Sequence, residues 1–244
     1  MTGLTQGIDI GDELNLYLVA NGLKPTSLVT LDPLNFDGGY NIRRDRNIRY
    51  IHEESDRRLN SEHIQGFRVA LEDLGIAYHQ NGTKNWQTYN QNGKPIKAER
   101  VLFWVGKDKS SLERLLSADN DEEIGLALGF PIEAVKAYGE MIDGEIRDGQ
   151  YQQIALAKAK QASLELPTWL SYINHIPEKL DLVSGNISQT SQALGEKYQA
   201  FVRENNPELA KRVEQHFLNR RLPDSWERTP NGSYTLCFSP APSN

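Results

Sequence analysis

From Asn41 to Arg58 the chain reads NIRRDRNIRYIHEESDRR, which sets Arg43, Arg44, Arg46, Arg49, Arg57 and Arg58 around His52, Glu53, Glu54 and Asp56. A guanidinium presents a planar fork of donors that grips a carboxylate or phosphate through two bonds at once. Loops beside strand ends are where such ligands are usually received. The six arginines and His52 are therefore the candidate ligand-binding residues, for a small anionic ligand or a protein partner. The competing reading is a solvated charged face in which each arginine is matched to one of the interleaved acids. His52 and Glu53 have the chemistry of an acid/base pair, but neighbouring strand residues face opposite sides, so they do not cooperate directly. An enzyme using His52 or His175 as its acid/base is a further alternative, motivated only by their polar neighbours.

A second stretch, EEIGLALGFPIEAVKAY from Glu122 to Tyr138, has the spacing of a helix, a tight turn and a second helix. Gly125 suits a helix crossing, Gly129 suits a positive-φ turn, and Ile124, Leu128, Phe130, Val135 and Tyr138 form the expected buried set. Reading DNA would also need donors on the outer face of the second helix and cations to hold phosphates. The residues available there are Pro131, Ile132, Glu133, Lys136 and Ala137, flanked by ADNDEE and GEMIDGE. That surface repels phosphate, so the segment is expected to be a helical packing corner.

The block IGLALGFPIEAVKAY resembles the GxLLGYPxCCVxxF signature of an uncharacterised family of archaeal and uncultivated-bacterial proteins. VLFWVGK before it, and YINHIP with SQALGEKYQAFVRENNPELAKRVEQ after it, resemble that family's flanking segments, so the likeness runs from about Val101 to Gln215. Where the family carries paired cysteines, this chain has Glu133 and Ala134, and after Pro177 it has Glu178 and Lys179. The thiolate site that the resemblance implies is therefore absent, and the family brings no known function.

Other chemistry is sparse. His63, His79, His175 and His216 are scattered, with no H-x-x-x-H, H-E-x-x-H or acidic calcium loop, so no metal and no cofactor are expected. Asn81-Gly82-Thr83 fits neither a phosphate cradle nor a dinucleotide fingerprint, and no serine lies in a nucleophile motif. Trp86, Tyr89, Phe103 and Trp104, interleaved with Lys84, Lys94, Lys97 and Arg100, could stack single-stranded RNA. The formal charge of −6 works against a large contact with polyanions, whose affinity comes from Lys and Arg displacing counterions. Nucleic-acid binding, by the helical corner or the aromatic strands, is thus the alternative to anion binding.

Cys237 is the single cysteine, so no intramolecular disulfide or cysteine-built metal cluster can form. The N-terminus lacks the basic and apolar regions of a signal peptide, and no run approaches the roughly 18–20 apolar residues of a membrane span. A cytoplasmic protein without membrane contact is expected. Hydrophobic residues make up 38% and charged residues 25% of the 244, enough for a packed core.

The elements that must position these residues read as α+β: a small mixed or antiparallel sheet with one covering helix, followed by a helical C-terminal region. Residues 1–109 are expected to form the α+β domain, 110–221 a helical domain and 222–244 a proline-rich tail. A helix is predicted over Gly11–Asn21 and strands at Ser27–Asp32 and Asn47–His52. The covering helix spans Asn60–Leu74, with Ile64, Phe67, Leu71 and Leu74 as its apolar stripe. IAYHQ, NWQTYN and RVLFWVGK are predicted as three strands, the last central because it is apolar on both faces. Helices follow at SSLERLLSA, DEEIGLAL, PIEAVKAYGEMID, QYQQIALAKAKQASLE, ISQTSQALGEKYQAFVREN and PELAKRVEQHFLNRR. TWLSYINHIP is not assigned, and no strand is expected after Lys109 until Tyr234–Phe238.

Overall fold

The computed structural model describes residues 7–35, 43–45, 48–51, 57–90, 94–142, 150–228 and 234–238. The described residues up to Ala118 form one compact unit, and those from Asp119 onward form another.

In the first unit, helix α1 (Ile10–Ala20) begins at Asp9, whose side chain accepts from the Asp12 N–H at 2.8 Å. It ends where Gly22 takes φ +69° and Leu23 N–H returns to the Leu18 carbonyl at 3.0 Å, a left-handed helix stop. The strands are β1 (Thr26–Leu31), β2 (Arg43–Asp45), β3 (Ile48–Ile51), β4 (Arg57–Arg58), β5 (Ala77–Asn90) and β6 (Pro95–Gly106). Between β4 and β5 lies helix α2 (Ser61–Asp73), capped by the Asn60 side chain. Helix α3 (Lys109–Leu116) closes the unit, capped by Asp108.

The sheet runs β1-β6-β5-β3-β2, with β4 beside β6. Pairing is mostly antiparallel, while β3 with β5 and β4 with β6 are short parallel contacts. The expected strands IAYHQ and NWQTYN are one strand, β5. Asn81 and Gly82 do not break it; the register against β6 shifts between Gln80 and Thr83, and Gly82 takes φ +93°. A bulge absorbs the extra residues and the ladder continues, so a glycine that looked like punctuation lies inside a strand.

One face of this sheet carries the core. Val29 and Leu31 of β1 and Val101, Phe103 and Val105 of β6 meet Leu16 and Val19 of α1 and Phe67 and Leu71 of α2. Alternation along β6 puts every second residue inward, and the 3.6-residue period of α2 brings Phe67 onto Phe103, ring centroids 5.1 Å apart. Ile64 and Leu74 complete the predicted stripe at its half-buried margins. Helix α2 covers the sheet as expected, and α1 shares that face.

The second unit contains helices α4 (Asp121–Ala127), α5 (Ile132–Ile142), α6 (Gln150–Gln161), α7 (Gln189–Asn205) and α8 (Pro207–Leu218). Strands β7 (Leu180–Asp181) and β8 (Asn186–Ile187), which form a small hairpin, and β9 (Ser225–Arg228) depart from the expectation of no strands there; β9 pairs with β10 (Tyr234–Cys237), the strand expected at Tyr234–Phe238. The unassigned TWLSY segment is a 3-10 turn, Thr168–Tyr172, whose Trp169, Leu170 and Tyr172 are buried. Its apolar run follows neither the two-residue nor the 3.6-residue period because it is enclosed on several sides. Gly195 allows α7 to approach it, since a Cβ there would lie 2.8 Å from the Trp169 carbonyl oxygen. Asn206 ends α7 and caps α8, whose first residue is Pro207.

Candidate functional site

Backbone pairing divides the arginine-rich segment. Arg43 and Arg44 lie in β2 and Arg49 in β3, and the antiparallel register sets Arg44 opposite Arg49 and Arg43 opposite Tyr50. Arg57 and Arg58 lie in β4, opposite Ala98 and Glu99 of β6. Arg46 and His52 fall outside the described residues. From β3 to β4 the path crosses β5 and β6, three strand spacings or roughly 14 Å. The sequence thus separates into a hairpin group at one side of the β5–β6 ribbon and a pair at the other. Arg58 reaches Glu99 at 3.7 Å with its side chain 79% exposed, a contact of small energetic worth.

The helical corner has the helix, turn and helix that its sequence predicts, but of the expected buried set only Val135 is buried, while Ile124, Leu128 and Phe130 are half-buried. Asn120 and Glu123 cap α4 reciprocally, Gly129 takes φ +81°, and Phe130 N–H returns to the Gly125 carbonyl at 3.0 Å. A Cβ on Gly125 would lie 2.8 Å from Val135 Cγ2, so the helix crossing requires glycine there. Tyr138, expected inside, is 45% exposed, although it lies on the same helical face as the buried Ala134 and Val135, four and three residues before it on α5. Ile132, Glu133 and Lys136 are exposed, with acidic Asp121, Glu122 and Glu123 on α4.

His175 is buried behind this corner. Its ring lies 5.3 Å from Phe130 between centroids, and its Nε2 is 3.0 Å from Ser191 Oγ, which is fully buried. A serine and histidine at hydrogen-bond distance have the composition of a nucleophile and base, but neither is open to a substrate here. Ser191 lies in the first turn of α7 and its N–H is bonded to the Ser188 cap, so the pair anchors a helix start. Of the aromatic set, Phe103 is fully buried in the core and cannot stack a base.

A second polar constellation, which sequence reading did not single out, joins α1 to the sheet. Asp12 Oδ2 accepts from the Thr30 N–H at 2.8 Å, filling a donor on the outer edge of β1. Lys24, only 2% exposed, donates from Nζ to Asn15 Oδ1 at 2.7 Å, with Ser27 Oγ at 3.5 Å. Arg100 Nε meets Asp32 Oδ2 at 2.6 Å. Burial and the neighbouring Asp9 charge raise the Asp12 carboxyl to about 7, against the opposing pull of the Thr30 N–H, Lys24 and Arg100. Burial lowers the Lys24 amine to about 7, with Asp12 resisting. The signal in the sequence was Asn15, a polar residue inside the run Leu14–Val19.

Among the described residues, no group of three or more His, Cys, Asp or Glu could hold a metal, and no helix is long and apolar enough to cross a membrane. Comparison with protein-family models, with curated proteins and with solved structures finds no match to this chain.

Proposed function

We propose that this chain is a non-enzymatic module that binds an anionic ligand or partner through the arginines of the β2–β3 hairpin. The register pairing Arg44 with Arg49 carries this reading. Like charges directly opposite on neighbouring strands destabilise a ladder. An oxyanion held between two guanidiniums turns that repulsion into attraction, with several charge-assisted bonds. In this reading the His175–Ser191 pair belongs to the fold, and the compartment is the cytoplasm, which suits a chain with a single cysteine.

Thermal unfolding of the full chain with a panel of nucleotides and acidic metabolites tests it. A ligand present at 100 times its Kd stabilises by about 2.7 kcal/mol, enough to raise Tm by several degrees. The response is expected to vanish in the Arg44→Ala, Arg49→Ala double variant. If no anion moves the transition, or the double variant responds like the parent, the hairpin is not the site.

A further inference from the structure

Arg220 follows the last turn of α8. Its guanidinium lies over the Phe217 ring, 3.9 Å from the centroid, and its Nε donates to the Phe217 carbonyl at 3.1 Å. Phe217 is 2% exposed and belongs to the core built by Leu156, Trp169, Leu170 and Leu222, so the platform beneath the guanidinium is fixed. Those contacts occupy the Nε donor and one face of the plane. The remaining N–H donors, all on Nη1 and Nη2, form the free end of the fork.

Two other arginines have carboxylates: Arg100 meets Asp32 at 2.6 Å and Arg203 meets Glu214 at 2.8 Å. Arg220 has none within salt-bridge distance among the described residues, in a chain with 33 acids against 27 bases. Its bond to the Phe217 carbonyl satisfies part of the α8 terminus through Nε but supplies no full counter-charge. Desolvation by burial lowers its pKa to about 10, and no charged neighbour enters that shift. A partly desolvated cation with a fixed plane and no carboxylate is stabilised by any anion that delivers two coplanar oxygens to its free end.

We propose that Arg220 is an oxyanion-binding residue, receiving a carboxylate or phosphate group across Nη1 and Nη2 with Phe217 as its platform. The site lies in the second unit and is independent of the hairpin reading above.

Nitrogen–proton spectra of the full chain test it, following the Arg220 Nε–Hε resonance and the Asn219 and Leu222 amides. Inorganic phosphate is titrated in one series and acetate in another, with chloride holding the ionic strength constant. A saturable movement of these resonances is expected for at least one anion, and which anion responds tells a phosphate site from a carboxylate site. In Arg220→Lys, which keeps the charge but loses the fork, the affinity read at the two amides is expected to fall at least about tenfold. In the Arg44→Ala, Arg49→Ala variant it is expected to be unchanged. The proposal is overturned if neither anion moves the parent's Arg220 resonance, or if Arg220→Lys binds as tightly as the parent. Should the lysine variant fail to fold, the parent titration decides alone.

Discussion

Lys24 and Asp12 are ionisable residues whose burial has a consequence that unfolding can measure. The Asp12 carboxyl, raised to about 7 in the fold, binds a proton more readily there than in the unfolded chain. Its contribution to stability is therefore fully present below about pH 4 and lost as pH rises through about 7. The Lys24 amine, lowered to about 7, works in the opposite sense: its contribution is present above about pH 10.5 and lost as pH falls through about 7. Together the two make neutral pH a local minimum. Stability measured by urea unfolding should climb between pH 7 and 9.5, and Lys24→Met should flatten that climb, because methionine fills much of the space without an amine. An unaltered slope in the variant would show that Lys24 stays protonated in the fold. The pair escapes sequence reading because twelve residues and a helix end separate its members. Only the folding of α1 back along β1 brings Asp12 to the Thr30 N–H.

At the scale of elements, legibility followed periodicity. Helix α2 was readable because one stripe, from Ile64 to Leu74, meets one sheet, and β6 because Val101–Val105 is apolar on both faces and has neighbours on both sides. Where local chemistry has two uses, the reading divided. Asn81-Gly82 serves a turn or a bulge equally well, and only the ladder to β6 decides. Part of the arginine group was legible as a cluster of charge, but strand order sets Arg57 and Arg58 apart from Arg44 and Arg49, and no local pattern encodes that. The corner between α4 and α5 was legible as geometry, and its glycine supports a quantitative test. Gly125→Ala drives a methyl toward Val135 Cγ2, where the gap would be 2.8 Å, and is expected to cost about 1–3 kcal/mol as overpacking. Adding Val135→Ala should recover part of that loss in a double-mutant cycle. A fully additive cycle would mean that the two helices do not cross at this point.

At the scale of the whole molecule, the described residues include two cores built from separate stretches of chain: one from Ile8 to Val105, the other from Ala155 to Leu222. The second is tied by a polar hub at Glu214, whose Oε1 accepts from Tyr172 at 2.8 Å, Arg203 at 2.8 Å and Gln199 at 3.1 Å. Gln199 also reaches Thr168 Oγ1 at 2.8 Å, so the hub fastens α7, α8 and the 3-10 turn to one another. Burial pushes the Glu214 carboxyl up, but the bonds from Arg203, Tyr172 and Gln199 hold it below its ordinary value. Burial and the bond to Glu214 push the Tyr172 hydroxyl far up. Glu214→Ala strands that buried hydroxyl and should cost about 1–3 kcal/mol. Hydrogen exchange followed by mass spectrometry resolves where the loss falls. Peptides from α7 and α8 should open more readily by that amount, while those from β1, β5 and β6, whose core shares no residue with the hub, should keep their protection. Equal loss of protection in β6 would mean that the two cores unfold as one cooperative structure, and would remove the basis for treating a ligand at the hairpin and one at Arg220 as independent events.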